Sequence, residues 1–346
     1  MARRFIVHAG AHKTGTSAFQ EWAVRNRAAL LEAGFLYPAT GATKLGNHAA
    51  MVSALAGAID DEKRSAHLLR AFDRELKTRP DAAVILSAEL MSTLGFIRKV
   101  DGLYRSLAQY SDNATVVLVV RDQIEWRNSC YAQARQMLSH LPRFRDFTRV
   151  GKQGPRSGNW DFLEQKYRDA GFAFETLAFD KRVRDSGIVA AMAGLPCLAG
   201  TADVGDRERT ETNPTVGALA LLVAEQVRAA VDQGPALPQS SRVKLATIIA
   251  KHTDHLPTTR FNGFDAELAD QLRATYRDSN DSFAKRHFGV RWHELFPPKK
   301  IEYVSCDTIE ELEPAERDQI RDIAGRVVIE AVETGLLQLS PATLSR

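Results

Sequence analysis

Cysteine is scarce, with three in 346 residues, at Cys130, Cys197 and Cys306. So few, so widely spaced, exclude a disulfide framework and a cysteine zinc site, and they read as reduced thiols. Long apolar runs are missing too. No stretch approaches the roughly 18 apolar residues of a membrane span. The apolar run behind the basic start, Met1-Ala2-Arg3-Arg4, ends within a few residues at His8, too short for a secretory signal core. A cytoplasmic protein without an integral membrane segment is expected. Charge of one sign is also lacking. The 46 Lys and Arg against 43 Asp and Glu leave +3, so no whole-protein field recruits nucleic acid, and any anion site is local. Neither internal repeats nor low-complexity tracts occur. What remains is 44% hydrophobic and 26% charged, enough for the core of one large or two ordinary domains.

The chain is organised around residues 5–20, FIVHAGAHKTGTSAFQ. A short apolar run, Phe5-Ile6-Val7, breaks at Gly10 and passes through His12-Lys13-Thr14-Gly15-Thr16-Ser17 into a helical pattern carrying Phe19, Trp22 and Ala23. Strand, glycine-bearing loop and helix form the layout of a phosphate cradle, with loop N–H groups and the helix N-terminus facing the anion. A turn that used glycine only for geometry would leave Lys13 at a helix N-terminus, where a cation is disfavoured. The loop nearly matches G-x-x-x-x-G-K-[ST], since Gly10 and Gly15 have the spacing. Thr16, however, stands at the lysine position, and the lysine is Lys13, inside the loop.

Further along, residues 82–86 and 115–120 read as buried strands and 172–179 as another. Helices are expected at 16–34, 48–57, 62–78, 98–110, 161–170 and 183–193. Strands alternating with helices predict a P-loop-NTPase-like parallel sheet flanked by helices, an α/β class, with a largely helical second half from about 183. That half holds helices at 215–232, 240–252, 265–287 and 313–337. Residues 1–296 are read as one domain and 297–346 as a linker, Pro297-Pro298-Lys299-Lys300, with a C-terminal amphipathic helix. Residues 142–159, with Arg143, Arg145, Arg149, Lys152 and Arg156, read as a mobile basic loop. His252 and His255 form H-x-x-H around Asp254 but lack a third metal ligand. In a parallel sheet, ligands bind beyond the C-terminal strand ends. Here those ends carry His8 to Ser17, Ser87-Ala88-Glu89 and Arg121-Asp122, three polar clusters expected to meet at one crevice.

Lys13-Thr14-Gly15-Thr16-Ser17 resembles the 5′-phosphosulfate loop of sulfotransferases, and the longer HAGAHKTGTSAFQ is similar to the form found in bacterial sulfotransferase-like proteins. Their second signature is an Arg at a strand end with a Ser eight positions later. Arg121 and Ser129 have that separation, although Gln123 stands where the family has Pro. Residues 209–215, Tyr276 and Asn280 match more loosely. The resemblance implies 3′-phosphoadenosine 5′-phosphosulfate (PAPS) as donor and 3′-phosphoadenosine 5′-phosphate (PAP) as product, with in-line sulfuryl transfer that requires no metal. It implies donor binding by His12, Lys13, Thr14, Gly15, Thr16 and Ser17, with Arg121 and Ser129 on the 3′-phosphate. Lys13 would stabilise charge on the leaving oxygen. The acceptor would be a hydroxyl or amine, on a carbohydrate, a glycolipid or another small molecule. Glu89 is the first candidate for the base, since some glycan sulfotransferases use a glutamate. His48 is the second, and His12 the third, being first of all a loop ligand. Two other functions fit the same residues. One is a P-loop kinase or NTPase with Asp122 on magnesium; the other is a non-catalytic nucleotide- or sulfoglycan-binding protein. The residues carry no reading of oligomeric state.

Overall fold

In the computed structural model, residues 3–149, 156, 158–205, 216–231 and 237–337 are described. The chain forms two compact units, each drawn from three separate segments.

The first unit comprises Met1–Gln123, Val150–Thr212 and Thr275–Pro298. It holds a five-stranded sheet, made of β1 (Phe5–His8), β2 (Phe35–Leu36), β3 (Ala83–Ser87), β4 (Ala114–Val120) and β5 (Ala173–Ala178). The order is β2-β3-β1-β4-β5, and every pairing is parallel. β1 and β3 are buried at every position. Helices cover both faces of such a sheet, so its inner strands read as unbroken apolar runs rather than alternating ones. Ile6, Val117 and Val119 of the sheet share a core cluster with Phe19, Trp22 and Ile188. The expected α/β class with a parallel sheet is the fold observed.

The expected helix over 16–34 is two helices, α1 (Thr16–Arg25) and α2 (Arg27–Glu32). Asn26 stands between them at φ −107°, and its amide donates back to the Trp22 carbonyl. α3 (Ala49–Leu55), α4 (Glu62–Lys77), α5 (Leu94–Ile97) and α6 (Val100–Ala108) follow in chain order. A 3-10 turn, Glu89–Ser92, leaves the end of β3. α7 (Gln123–Gln136) starts at the end of this first segment, and α8 (Phe144–Thr148) follows it. The unit resumes with α9 (Trp160–Asp169), α10 (Lys181–Ser186) and α11 (Ile188–Ala193). The last two are separated at Gly187, whose φ of +87° suits glycine alone.

The second unit comprises Ile124–Arg149, Asn213–Ala274 and Lys299–Arg346. Besides most of α7, and α8, it holds α12 (Ala218–Val231), α13 (Gln239–His252), the start of α14 (Ala266–Phe288) and α16 (Pro314–Glu333). The short α15 (Trp292–Leu295) belongs to the first unit. α16 buries Ile320, Ile323, Val327 and Ala331. Residues 142–149, expected as loop, contain α8, whose Phe144 and Thr148 are buried. Phe144 packs edge-on against Tyr131, Phe261 and Phe264, so burial of apolar rings overrides the local polarity. Arg145 there pairs with Asp265 at 3.2 Å. Lys152, and residues 209–215 of the looser resemblance, lie outside the described residues. No helix among the described residues is long and apolar enough to cross a membrane.

Candidate anion cradle and the groups beside it

β1 lies between β3 and β4; it ends in step with β3, His8 opposite Ser87, while β4 continues past it, with His8 opposite Val117 and the strand ending at Val120. The chain leaves β1 into residues 9–15 and enters α1 at Thr16. Ala9 and Ala11 still donate to the carbonyls of Val117 and Val119, which fixes the loop's first half against β4. Lys13 then takes φ +67° and Gly15 φ +81°. A left-handed lysine costs about 1–2 kcal/mol, so surrounding contacts must hold it there. One is visible: Arg121 Nη1 donates to the Lys13 carbonyl at 2.8 Å. Arg121 itself is positioned at the end of β4 by its own carbonyl, which accepts from Trp160 Nε1 at 3.1 Å. Its guanidinium lies 5.7 Å from the Phe179 ring centre.

The N-terminus of α1 differs from those of α4, α9 and α10, which are capped by Asp61, Asn159 and Asp180. Its cap is Gly15, which has no side chain to bond the first turn, and that turn has no acidic residue. The first N–H groups of a helix have no intrahelical partner, and uncapped they attract an anion. The hydroxyls divide. Thr14 is buried and donates to the Ala11 carbonyl at 2.6 Å, which closes the loop on itself. Thr16 is buried with its Oγ1 3.5 Å from that of Thr14. Ser17 is exposed. The expected row of three hydroxyl ligands is therefore one outward hydroxyl, Ser17, and two that shape the loop.

Below the loop is a buried polar floor. His8 Nδ1 meets Ser87 Oγ at 2.9 Å, and Gln20 Nε2 donates to the same hydroxyl at 3.0 Å. Burial lowers the His8 pKa to about 3, so this ring stays neutral. His48 is also fully buried. Its Nδ1 accepts from the Ser87 N–H at 3.2 Å and its Nε2 lies 2.9 Å from the Pro38 carbonyl. Burial, only partly offset by those bonds, lowers its pKa to about 4. Both ring nitrogens are engaged and the ring has no solvent face, so His48, expected as the second base, is a structural link between residue 38 and β3. Glu89 opens the 3-10 turn after β3 and meets His12 of the loop, with Nδ1 to Oε2 at 2.7 Å and side-chain exposures of 42% for His12 and 21% for Glu89. Nothing in the local pattern announces that pairing, because its partners lie on different strand-end segments.

Asp122, the magnesium ligand of the kinase reading, accepts from Trp292 Nε1 at 3.4 Å. In the second unit, Ser129 on α7 accepts from Arg260 Nη2 at 3.4 Å. Arg260 went unnoticed in the sequence because no motif surrounds it. It reaches Ser129 from a bridge pairing residues 217 and 260. Of the H-x-x-H pair, His252 is held by Glu330 at 2.7 Å and His255 lies 3.5 Å from Asp254.

Fold and candidate cradle define a parallel α/β protein whose central strand ends in a lysine-bearing loop that opens a helix. No protein-family model matches the chain, and no curated protein sequence matches it. Among solved structures, a sulfotransferase from Alicyclobacillus acidocaldarius is similar, with TM-score 0.40 and 16% identity over 70% of this chain and 95% of that one. At those values the likeness assigns no function.

Proposed function

We infer that the protein is a sulfotransferase that moves a sulfuryl group from PAPS to an acceptor hydroxyl or amine, with a carbohydrate or glycolipid hydroxyl as the acceptor class. One observation carries this reading. The loop between β1 and α1 places Lys13 two residues ahead of Gly15, in a left-handed turn braced by Arg121, at a helix N-terminus with no side-chain cap and no acidic residue in its first turn. That arrangement fits a terminal phosphate and the group attached to it. The N–H groups opening α1, with the Ser17 hydroxyl, bind the 5′-phosphate end. Lys13 offsets negative charge on the bridging oxygen as the bond to sulfur breaks. Arg121 serves both the loop and the donor's 3′-phosphate. The acceptor's proton goes to the Glu89–His12 pair. The residues themselves supply each of these roles, and no metal is invoked for any of them.

The test is a thermal-shift comparison of PAP with ATP and magnesium on the full chain. A ligand that binds only the native state stabilises it by RT ln(1 + [L]/Kd), about 2.7 kcal/mol at 100 Kd. PAP is expected to raise the melting temperature, with ATP and magnesium giving little or no rise. The reverse result would replace this function with the kinase reading.

A further inference from the structure

Glu89 and His12 both stand at the cradle, and their contact divides their roles. The Glu89 carboxylate can only accept, so the atom facing it, His12 Nδ1 at 2.7 Å, carries a proton. In the neutral ring the second nitrogen, Nε2, then holds the lone pair. Among the described residues no hydrogen-bond partner meets that nitrogen. His12 is also the more exposed of the two, 42% against 21%. The carboxylate is thus committed to the ring, and the ring presents its open nitrogen outward from the loop.

Resting on the sulfuryl-transfer reading above, we propose that His12 Nε2 is the base and Glu89 a positioning residue, the reverse of a glutamate base. As the acceptor oxygen forms its bond to sulfur, its proton passes to Nε2. The bond from sulfur to the bridging oxygen breaks, and its electron pair stays on the leaving phosphate beside Lys13. The imidazolium formed keeps its Nδ1–H on the Glu89 carboxylate, which fixes the ring and offsets its new charge. The product sulfate ester and PAP leave, and the proton returns to solvent. Atoms and charge balance with no further reactant. The loop that holds the donor would thereby also supply the group that activates the acceptor.

The test uses the full-length protein, with PAP binding measured first by calorimetry. If wild type does not bind PAP, the sulfuryl-transfer reading itself fails, and this step falls with it. Where PAP binds, transfer from PAPS to water and to 4-nitrophenol is compared among variants. His12→Asn keeps an amide donor for Glu89 and has nothing at the Nε2 position. It is expected to lower the rate at saturating PAPS about 100-fold or more, and added imidazole is expected to restore part of the rate to His12→Ala. Glu89→Gln is expected to slow transfer as well, with Glu89→Asp recovering part of the loss. If His12→Asn keeps the wild-type rate while Glu89→Gln abolishes it, the carboxylate is the base and the proposal is overturned. Imidazole ¹⁵N shifts decide independently of turnover and of how the variants fold. Neutral His12 protonated at Nδ1 supports the assignment, and Glu89→Gln is expected to move part of that population to Nε2. Protonation at Nε2 in wild type overturns it.

Discussion

At Gly10 the lack of a side chain is a packing requirement. A Cβ there would lie 2.7 Å from both His8 Nε2 and Thr16 Oγ1. Neither neighbour can swing away. His8 is pinned through its other nitrogen to Ser87, and Thr16 is buried in the first turn of α1. Gly10→Ala is therefore expected to cost about 1–3 kcal/mol and to weaken PAP binding through the displaced loop. Gly325 is the control. It is an exposed position inside α16 with nothing within 4 Å of a Cβ, so Gly325→Ala is expected to stabilise by about 0.5–1 kcal/mol. Urea unfolding of both variants with PAP titrations checks the pair. Equal stability of Gly10→Ala and wild type would mean that the floor under the loop is not packed as described. Residue identities in the cradle were legible because they are consecutive: the order from His12 to Ser17 stands in one stretch. Contacts were not. Glu89 with His12, Arg121 with Lys13 and Ser129 with Arg260 each join distant segments, and no local pattern encodes a distance. Gln123 shows the same limit. It stands where the resembled family has proline, and the sequence offers no reason. In the fold its amide exchanges hydrogen bonds with that of Asn280, at 2.8 and 2.9 Å, and also donates to the Gly158 carbonyl. A buried amide so satisfied fixes the start of α7, directly behind Arg121.

Among elements, the strands were the most legible. β3 and β4 match the expected 82–86 and 115–120 to within a residue at each end, because a run of β-branched and apolar residues bounded by polar ones has few other uses in a parallel sheet. Helix interruptions were less so. Apolar periodicity runs through Asn26 and Gly187 without a proline, and the chain breaks there because of a back-bonding amide in one case and a left-handed glycine in the other. Docking of α9 against α14 was not legible at all, since it depends on one buried carboxylate. Glu164 accepts from Arg168 Nε and Arg286 Nη1, both at 2.6 Å, and meets His287 Nε2 at 2.7 Å. Burial alone would raise its pKa. Hydrogen bonds from His287 and Arg168, with the charges of His287 and Arg286, outweigh burial and hold it at about 2, against an ordinary 4.5. Folding thus lowers this pKa, so the unfolded chain binds the proton more tightly. The stabilisation, on the order of 3 kcal/mol, is complete above about pH 5 and is lost as the pH falls towards 2. Between about pH 5 and pH 3, wild type is expected to lose about 2 kcal/mol more than Glu164→Gln in urea unfolding. Parallel pH profiles for the two proteins would show that the carboxylate is not held by its three partners.

For the whole molecule, the two units are interleaved in sequence, and not all of their boundaries are punctuated. The second unit resumes at Lys299, directly after Pro297-Pro298, where composition alone suggested a linker. Gly154-Pro155 and Asn213-Pro214 stand beside the switches at 149 and 212; those at 123 and 274 fall within α7 and α14, where helical periodicity continues unbroken. Each unit also carries a buried thiol, which makes the two separately observable. Cys197 in the first is 6% exposed and Cys306 in the second is fully buried, and none of the three cysteines is in a disulfide. Burial raises the pKa of both buried thiols, and neighbouring Glu175 raises that of Cys197 further. Thiolate, not thiol, reacts with an alkylating agent, so both are expected to resist iodoacetamide in the native protein, while part-buried Cys130 reacts first. Labelling of Cys197 then requires the first unit to open. PAP bound at the β1–α1 cradle must leave before that opening, so in the regime where reclosing outpaces labelling the Cys197 rate is expected to fall by the factor 1 + [L]/Kd, about 100-fold at 100 Kd. Peptide mass spectrometry over a PAP titration measures it. A Cys197 rate indifferent to PAP, in a protein shown by calorimetry to bind it, would place the nucleotide away from the cradle or show that the Cys197 segment opens by itself. Gly10→Ala separates the two, because only a cradle site loses affinity in that variant.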